Sequence, residues 1–196
     1  MESAPLTPWT LRLAYHEGIF PMGDDLGRIG FYRPRRRAVF SMETGMRVSR
    51  SLARTLRRKP FVVRFDTAFE RVMRACLRPR ENWITEEMIQ AYTAVWREGW
   101  GHCAECWADD ELVGGVYGVS LGAVFFAESM FHRKTDASKV ALHALIEHCR
   151  ACGYRLFDVQ LMNPHLARLG AVEMPNRQFL SELDLALRHP DAWRPA

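Results

Sequence analysis

A chain of 196 residues with 48% hydrophobic and 26% charged residues is long enough for one full core, and this composition excludes a disordered protein. It contains no apolar run of about 18 residues, which excludes a membrane-spanning helix. The first residues lack the basic-then-apolar layout of a signal peptide, so we expect a cytoplasmic protein. The net charge is +4, but residues 1–80 contain 17 Lys/Arg against 7 Asp/Glu, whereas residues 81–196 contain 10 against 16. The basic half suggests a polyanion partner such as nucleic acid, although a solvated surface with a chance asymmetry explains it equally well.

The first half of the chain predicts several helices. Residues 1–22 indicate a short helix followed by a turn, and residues 23–34 a glycine-rich loop that contains Asp24 and Asp25. A run of arginines precedes a strand over residues 38–42, and we place the boundary between a small N-terminal domain, 1–38, and the main domain, 39–196, at this point. Residues 49–58 predict a helix that Ser49 caps and that has a basic stripe of Arg50, Arg54, Arg57 and Arg58. A strand over residues 61–66 and helices over 67–77 and 85–98 follow.

The second half is dominated by strands. Residues 102–108 and 111–119 predict two strands joined by the turn Asp109-Asp110, and residues 123–130 a third. Glycines 114, 115, 118 and 122 indicate bulges or close backbone contacts. A long helix over 138–152, a strand over 156–161 and helices over 163–169 and 176–187 complete the chain. This order predicts an α/β (α+β) protein around one sheet.

The cysteines form two CxxC pairs, Cys103/Cys106 and Cys149/Cys152, a spacing that can bind zinc. The first pair lies on a predicted strand, where residues three apart point to opposite faces and lie about 10 Å apart. The second pair ends a predicted helix. We therefore expect reduced, buried thiols and no metal.

Two stretches combine polar groups with apolar runs. In FFAESMF, Glu128 stands among large apolar residues. Desolvation of a bare charge in such surroundings costs on the order of several kcal/mol, so the carboxylate must be paired, neutralised or used. In RLFDVQL, Asp158 and Gln160 alternate with apolar residues, which places them on one face of a strand about 6.5–7 Å apart. Lys139, at the start of the long helix, is a possible partner for Glu128 or Asp158. The alternative for Asp158 and Gln160 is a structural role, with backbone groups as their partners.

Several motifs occur in an order that identifies a family: FPMGDD, RAVF, WIT at Trp83–Thr85, LVGGVYGVSLG, ESMF at Glu128–Phe131, DASKVAL, DVQ and HLARLGA. With these motifs the chain resembles the leucyl/phenylalanyl-tRNA–protein transferases, from about Tyr15 to Leu183. The resemblance implies a small N-terminal domain on a GNAT-like acyltransferase domain with a mixed, mostly antiparallel central sheet flanked by helices. It also implies transfer of Leu, Phe or Met from aminoacyl-tRNA to proteins with an N-terminal Arg or Lys, which marks them for degradation. No cofactor is expected, and the protein is expected to be a monomer.

The resemblance also implies roles for individual residues. Gln160, with Asp158 behind it, acts on the attacking amine; because an amide does not titrate near pH 7, we expect Gln160 to orient the amine and Asp158 to fix the amide. Glu128 contacts the aminoacyl end or the peptide amine. Val116, Phe125, Met130 and Leu145 form the aminoacyl pocket, although periodicity alone makes them core residues.

Two further roles concern the tRNA. Trp83 is a candidate platform for the terminal adenosine, and its alternative is a core tryptophan. The stripe Arg50, Arg54, Arg57 and Arg58 would bind acceptor-stem phosphates, and its alternative is a solvated helix face. One departure concerns Met22, because many family members have Trp at this position.

Two other functions remain compatible with parts of the sequence. An acyl-CoA-dependent enzyme would need a glycine-containing phosphate-binding turn before the long helix, but residues 132–137, HRKTDA, contain no glycine. A non-catalytic RNA-binding protein would suit the basic half, but it leaves Glu128, Asp158 and Gln160 without a role.

Overall fold

In the computed structural model the described residues are 5–24, 26–78 and 83–195. Residues 1–4 of the predicted N-terminal domain and Asp25 of its loop lie outside this range. The N-terminal part contains α1 (Pro8–His16) and a hairpin of β1 (Phe20–Gly23) and β2 (Ile29–Tyr32). Thr7 and Thr10 cap α1 reciprocally. The sequence indicated a turn and a loop where the hairpin lies, because Pro21 and several glycines disfavour strands.

The main sheet has seven strands in the described residues, in the order β4-β5-β6-β7-β8-β3-β9. The strands are β3 (Arg36–Phe40), β4 (Val62–Phe65), β5 (Gly101–Ala108), β6 (Glu111–Leu121), β7 (Val124–His132), β8 (Leu156–Asp158) and β9 (Val172–Pro175). Every neighbouring pair is antiparallel except β7 and β8. The expected mixed, mostly antiparallel sheet in an α/β protein is therefore confirmed.

Helices cover both faces of this sheet. The remaining helices are α2 (Arg50–Arg58), α3 (Phe69–Ala75), α4 (Glu86–Arg97), α5 (Ala137–Ala151), α6 (Pro164–Arg168) and α7 (Asn176–Leu187). Ser49 and Thr85 cap α2 and α4, as predicted. One apolar cluster includes residues of α1, α3, α4 and α7, and a second includes residues of α2, α5 and α6. No helix in the described ranges is long and apolar enough to cross a membrane.

Strand β5 confirms the prediction that Cys103 and Cys106 point to opposite faces. Cys103 packs in the cluster of α3 and α4, and Cys106 packs in the cluster of α5. Both thiols are free and buried. The two residues therefore cannot share one ligand without a rearrangement of the strand.

Strands β7 and β8 position the candidate site because their parallel pairing is short. Their register ends with Phe126 opposite Asp158. Beyond this pair β7 continues to His132, while the chain after β8 turns towards α6. Glu128 and Gln160 follow the last pair by two residues each, so both stand where the two strands separate.

Candidate active site

Glu128 lies at a bulge of β7. In the β6–β7 register Tyr117 pairs with Ser129 and Gly118 with Ala127, so Glu128 has no residue opposite it. A side chain at position 118 would clash with the backbone of Phe126 and approach the Phe125 ring to 2.6 Å, which requires glycine there. The predicted irregularity at Gly118 is confirmed, and it turns the Glu128 side chain towards a cavity.

Only one oxygen of the Glu128 carboxyl has partners in the described part of the chain. Oε1 accepts hydrogen bonds from the Tyr15 hydroxyl at 2.6 Å and from Gln160 Nε2 at 2.7 Å. Oε2 is buried and has no partner among the described residues. Glu128 is 8% exposed and lines the cavity. A hydrogen-bond donor that reaches this oxygen would satisfy it.

Burial raises the pKa of Glu128 to about 7. Hydrogen bonds from Tyr15 and Gln160 oppose the rise, the charge of Asp158 adds to it, and that of Arg37 opposes it. The carboxyl therefore exchanges its proton near neutral pH. A group with such a pKa is suited to accept or donate a proton at the pH of the cell.

Two buried tyrosines form a chain of hydrogen bonds that ends on Glu128. The hydroxyls of Tyr15 on α1 and Tyr92 on α4 are hydrogen-bonded to each other. Burial, and then the charge of Glu128, raise the pKa of both hydroxyls, so both keep their protons. Since Tyr15 donates to Glu128, Tyr92 donates to Tyr15. The chain of hydrogen bonds orients the carboxyl and connects it to the N-terminal helix.

Asp158 has a different partner from the one expected. Arg37 on β3 donates to both carboxylate oxygens of Asp158, with Nη2 at 2.6 Å from Oδ2, and both side chains are fully buried. Asp158 also accepts from the backbone N–H of Gln160 at 2.8 Å. The prediction that Asp158 fixes the side-chain amide of Gln160 is therefore wrong: Asp158 holds the backbone, and Glu128 holds the amide.

Gln160 is not part of a strand. Strand β8 ends at Asp158, and Gln160 has a φ of 63°, in the left-handed region that few residues other than glycine adopt. Its carbonyl accepts from the backbone N–H of Ala38 at 3.0 Å. The predicted strand alternation of Asp158 and Gln160 fails here, because the left-handed residue turns the chain out of the sheet. No hydrogen bond to Gln160 Oε1 occurs among the described residues, and Gln160 lines the cavity.

Lys139 does not neutralise Glu128 or Asp158, contrary to one expectation. Its Nζ pairs with Asp136 at 2.7 Å. The residue that neutralises Asp158 is Arg37, which the sequence showed only as the end of an arginine run. A buried aspartate requires a cationic partner, and this requirement was the one available signal for Arg37.

The cavity has a volume of about 660 Å³. It brings together five of the predicted site residues, Trp83, Val116, Glu128, Met130 and Gln160. Sequence reasoning missed several apolar residues of its wall: Leu142 on α5, Leu166 on α6, and Val159 and Leu161 beside Gln160. They were missed because the separation of β7 from β8, which creates the cavity, depends on packing between distant segments.

Two predicted pocket residues lie outside the cavity wall. Phe125 is fully buried and stacks on Phe157 with a centroid distance of 5.3 Å. Leu145 is also fully buried, almost one turn of α5 further along than Leu142. The alternation of the strand and the pitch of the helix direct both side chains away from the opening of the cavity. Both therefore pack in the core behind the cavity wall.

Trp83 lies opposite the N-terminal hairpin. Its carbonyl accepts from the backbone N–H of Gly23 at 2.8 Å, and a side chain at position 23 would approach the same carbonyl oxygen to 2.7 Å. Glycine at 23 thus lets β1 pack directly on Trp83. Met22 lines the cavity beside Trp83. An aromatic face and a flexible apolar side chain are therefore adjacent at this side of the cavity.

The basic stripe of α2 does not line the cavity. Arg50, Arg54, Arg57 and Arg58 are exposed, and none of them pairs with a carboxylate of the described residues. Leu52 is buried beneath the helix, as predicted. The stripe is a separate cationic surface.

These groups define a class of reaction. The cavity combines an apolar wall with a carboxyl that titrates near neutrality and an amide oxygen without a partner. Such a site can orient an amine against an activated acyl group and manage its proton, which is what an acyltransferase that acts on amines requires.

Comparison with known proteins agrees with this class. The family model for leucyl/phenylalanyl-tRNA protein transferase matches residues 39–184, and that for the N-terminal domain of the same family matches residues 4–35. A leucyl/phenylalanyl-tRNA–protein transferase of Gloeobacter violaceus is 47% identical over 190 residues, 96% of this chain and 98% of that one. One of Rubrobacter xylanophilus is 48% identical over 184 residues, 93% of this chain and 96% of that one. The chain belongs to the leucyl/phenylalanyl-tRNA protein transferase family.

Among solved structures, that of L-PGS from Bacillus licheniformis is similar with a TM-score of 0.43 and 12% sequence identity. The similarity covers 76% of this chain and 50% of that chain.

Proposed function

We propose that this protein transfers Leu, Phe or Met from aminoacyl-tRNA to the α-amine of proteins that begin with Arg or Lys, and so marks them for degradation. The observation that supports this most directly is the buried, unpartnered Oε2 of Glu128, in a cavity that Gln160 also lines. Two acceptor oxygens in an apolar site suit an amine that donates more than one hydrogen bond. Family membership adds the aminoacyl-tRNA donor and the protein acceptor.

The proposed reaction is aminolysis of an ester. The α-amine nitrogen attacks the ester carbonyl, the new C–N bond forms, and the bond to the ribose oxygen breaks. One amine proton leaves the nitrogen, and one proton ends on the ribose oxygen. The ester is already activated, and an α-amine with a reference pKa of about 7.7–8.0 is partly neutral at pH 7, so positioning and proton transfer are the main requirements.

Glu128 and Gln160 divide this work in our proposal. The carboxylate of Glu128 accepts a hydrogen bond from the amine through Oε2 and takes its proton, which the pKa of about 7 allows. Gln160 Oε1 accepts a second hydrogen bond and orients the amine. Asp158, held by Arg37, acts through the Gln160 backbone and is a positioning residue.

The aminoacyl side chain occupies the apolar wall in this proposal. Val116 and Met130 provide one side, and Leu142 and Leu166 the other. An apolar pocket distinguishes side chains by only about 1–3 kcal/mol per methylene, so overlapping use of Leu, Phe and Met is expected. Trp83 stacks on the terminal adenine, with Met22 beside it in place of an aromatic residue.

The remaining assignments complete the proposal. The stripe Arg50, Arg54, Arg57 and Arg58 binds acceptor-stem phosphates without reading sequence. Residues 1–38 form an N-terminal domain and residues 39–196 the catalytic domain. The protein acts as a monomer in the cytoplasm, where its donor and acceptor occur.

A transfer assay with the purified protein tests the proposal. Labelled Leu, Phe, Met and Ala are charged on tRNA and offered to peptides that differ only in a first residue of Arg, Lys, Asp or Ala. We expect labelled product from Leu, Phe and Met with the Arg and Lys peptides. Equal transfer to the Asp or Ala peptides would contradict the proposed acceptor, and efficient transfer of Ala would contradict the proposed pocket.

A further inference from the structure

The segment after α7 folds back onto the turn between β6 and β7. In this turn the backbone N–H of Gly122 donates to the carboxylate of Asp191 at 2.9 Å, and the backbone N–H of Ala192 donates to the carbonyl of Gly122 at 3.0 Å. Gly122 has a φ of 56°, and a side chain there would approach the carbonyl oxygens of Ala186 and His189 to 2.9 and 3.0 Å. Glycine at this position therefore lets the segment pack directly on the turn.

Trp193 in this segment packs among four other rings. Its indole stacks face to face on the imidazole of His102 on β5, with a centroid distance of 3.8 Å and an interplanar angle of 13°. The imidazole of His148 on α5 lies 4.5 Å away, and the rings of Phe65 on β4 and Phe125 on β7 lie at 6.1 and 6.0 Å. One side chain thus connects three strands of the sheet with α5.

Each of the two imidazoles has a second contact. Nδ1 of His102 is 2.9 Å from Asp66 Oδ2, so a carboxylate balances this imidazole when it is protonated. Nε2 of His148 is 3.6 Å from the sulfur of Cys152, and a backbone group of Arg194 is hydrogen-bonded to the same imidazole. No carboxylate in the described part of the chain forms an ion pair with His148. On protonation His148 therefore gains a charge beneath the indole without a direct partner.

Protonation of His148 and docking of the segment oppose each other. Burial lowers the pKa of this imidazole below its ordinary value of 6.5. The hydrogen bond with Arg194 and the charge of Asp66 oppose the change, and the charge of His102 adds to it. When the segment is detached, water reaches the ring and its pKa returns towards 6.5. The detached form therefore binds the proton more tightly, and the docked form loses stability as the pH falls through 6.5.

We propose that residues 189–195 form a strap that stays docked at neutral pH and is released on acidification, with His148 as the group whose protonation opens it. The strap contacts β7 and α5, and both elements carry residues of the cavity wall, Glu128 and Leu142 among them. It thus acts on the scaffold of the site without touching the reacting groups. The inference is independent of the proposed function, because it concerns only contacts within the chain.

The carboxylate of Asp191 is the competing trigger, since its protonation would weaken the hydrogen bond from Gly122. Two features favour His148. Its imidazole is in ring contact with the strap and hydrogen-bonded to the strap's backbone, whereas Asp191 is exposed to water. A charge on His148 therefore has to form beneath the indole, but a proton on Asp191 changes only a solvated contact.

Hydrogen exchange followed by NMR measures the release of the strap in the intact protein. The backbone N–H of Ala192 is the probe, because its hydrogen bond to Gly122 breaks when the strap detaches. Its protection, relative to an unstructured peptide at the same pH, is measured between about pH 5 and pH 8. The proteins are the wild type, His148→Gln, Asp191→Asn and the control His143→Gln. His143 lies on α5 about 7.5 Å before His148 and on another face of the helix.

We expect the protection of Ala192 to fall by on the order of 3- to 10-fold from about pH 7 to pH 5 in the wild type. His148→Gln should remove most of this dependence, whereas Asp191→Asn and His143→Gln should keep it. Constant protection in the wild type, or the same pH dependence in His148→Gln, would overturn the proposal. Loss of the dependence in Asp191→Asn would overturn it in favour of the carboxylate.

A second measurement leaves His148 itself unchanged. The pKa of His148 is read from the chemical shift of its Cε1–H in the wild type and in Trp193→Ala. Because the coupling between docking and protonation is reciprocal, Trp193→Ala should raise this pKa towards 6.5. The control is Trp9→Ala, which removes a tryptophan that is 67% exposed on α1 and should leave the pKa of His148 unchanged. An equal pKa in the wild type and in Trp193→Ala would contradict the strap.

Discussion

At the scale of single residues, Glu128 makes stability depend on pH. Its pKa is raised from 4.5 to about 7 in the folded protein, so the folded state binds the proton more tightly than the unfolded state. This stabilising contribution is complete below pH 4.5 and is lost as the pH rises to about 7. The shift corresponds to about 3 kcal/mol. Glu128→Gln removes the effect. We therefore expect the free energy of unfolding of the wild type, measured by urea denaturation, to fall by about 3 kcal/mol relative to that of Glu128→Gln between pH 4 and pH 8.

The same substitution separates the catalytic role of Glu128 from its structural one. Because Gln cannot take a proton, we expect kcat/KM for transfer to an Arg-peptide to fall by about 10²- to 10⁴-fold. The wild-type rate should rise through about pH 7, whereas the remaining activity of Glu128→Gln should follow only the acceptor amine, near pH 7.7–8.0. A variant that keeps the wild-type rate and pH profile would show that Glu128 is not the base.

Gln160 combines a functional amide with a strained backbone, and two substitutions distinguish them. Both Gln160→Ala and Gln160→Gly remove the amide, so both should slow single-turnover transfer about 10- to 100-fold while tRNA binding stays unchanged. Glycine adopts a φ of 63° without strain, so Gln160→Gly should be about 1 kcal/mol more stable than Gln160→Ala. An unchanged single-turnover rate in either variant would remove the side chain from the mechanism.

At the scale of structural elements, the bulge of β7 is the feature that creates the site. Ala at position 118 would force its Cβ against the backbone of Phe126 and within 3.0 Å of Ala127 Cα. We expect Gly118→Ala to destabilise the protein by about 2–3 kcal/mol and to lower activity more than stability alone explains, because the bulge directs Glu128 into the cavity. Thermal unfolding and the transfer assay measure the two effects.

Gly30→Ala is the matched control for this prediction. Gly30 also lies on a strand, but its added Cβ would meet only the side chain of Tyr32, at 3.3 Å. Tyr32 is 45% exposed and can move aside. A Gly118→Ala protein as stable and active as Gly30→Ala would contradict the role assigned to the bulge.

Most elements of the fold were predictable from sequence because local signals define them. Apolar periodicity and the caps Ser49 and Thr85 predicted α2 and α4, and the turn Asp109-Asp110 predicted the hairpin of β5 and β6. Strands β1, β2 and β9 were missed, since each has only four residues and depends on pairing with a distant or proline-containing partner. The end of β8 was predicted three residues too late, because the alternation of polar and apolar residues continues in the sequence after the strand has ended at Asp158.

The candidate site was predictable in its residue types and only partly in its contacts. An acid within an apolar run and the pattern Asp-x-Gln identified Glu128, Asp158 and Gln160. Their partners Tyr15 and Arg37 lie 113 and 121 residues away from Glu128 and Asp158, respectively, and no local pattern connects such positions. Leu142 lines the cavity and Leu145 does not, and this difference likewise depends on how α5 packs on the sheet.

At the scale of the whole molecule, Arg37 connects the N-terminal segment, the sheet and α7. Besides Asp158, its guanidinium contacts the carbonyl of Gly18 at 2.9 Å and lies over the rings of Phe20 and Phe179 at 4.7 and 4.5 Å. Through this one side chain the segment between α1 and β1 and the last helix are both fixed to β8, which ends at Asp158, two residues before Gln160. Its loss should therefore affect the fold and the site together.

Arg37→Met leaves Asp158 buried without its cation. Removing one member of a buried ion pair costs about 3–5 kcal/mol, so we expect a loss of that size in the free energy of unfolding, measured by urea denaturation at pH 7. Arg36 lies on the same strand as Arg37 and forms an exposed ion pair with Glu173 of β9. Arg36→Gln breaks this pair and should cost less than about 1 kcal/mol. Asp158→Asn should match Arg37→Met in stability and should also slow transfer under conditions where both proteins are folded, because the backbone of Gln160 loses a charged acceptor. Equal stability of Arg37→Met and Arg36→Gln would show that the buried pair does not hold these three segments together.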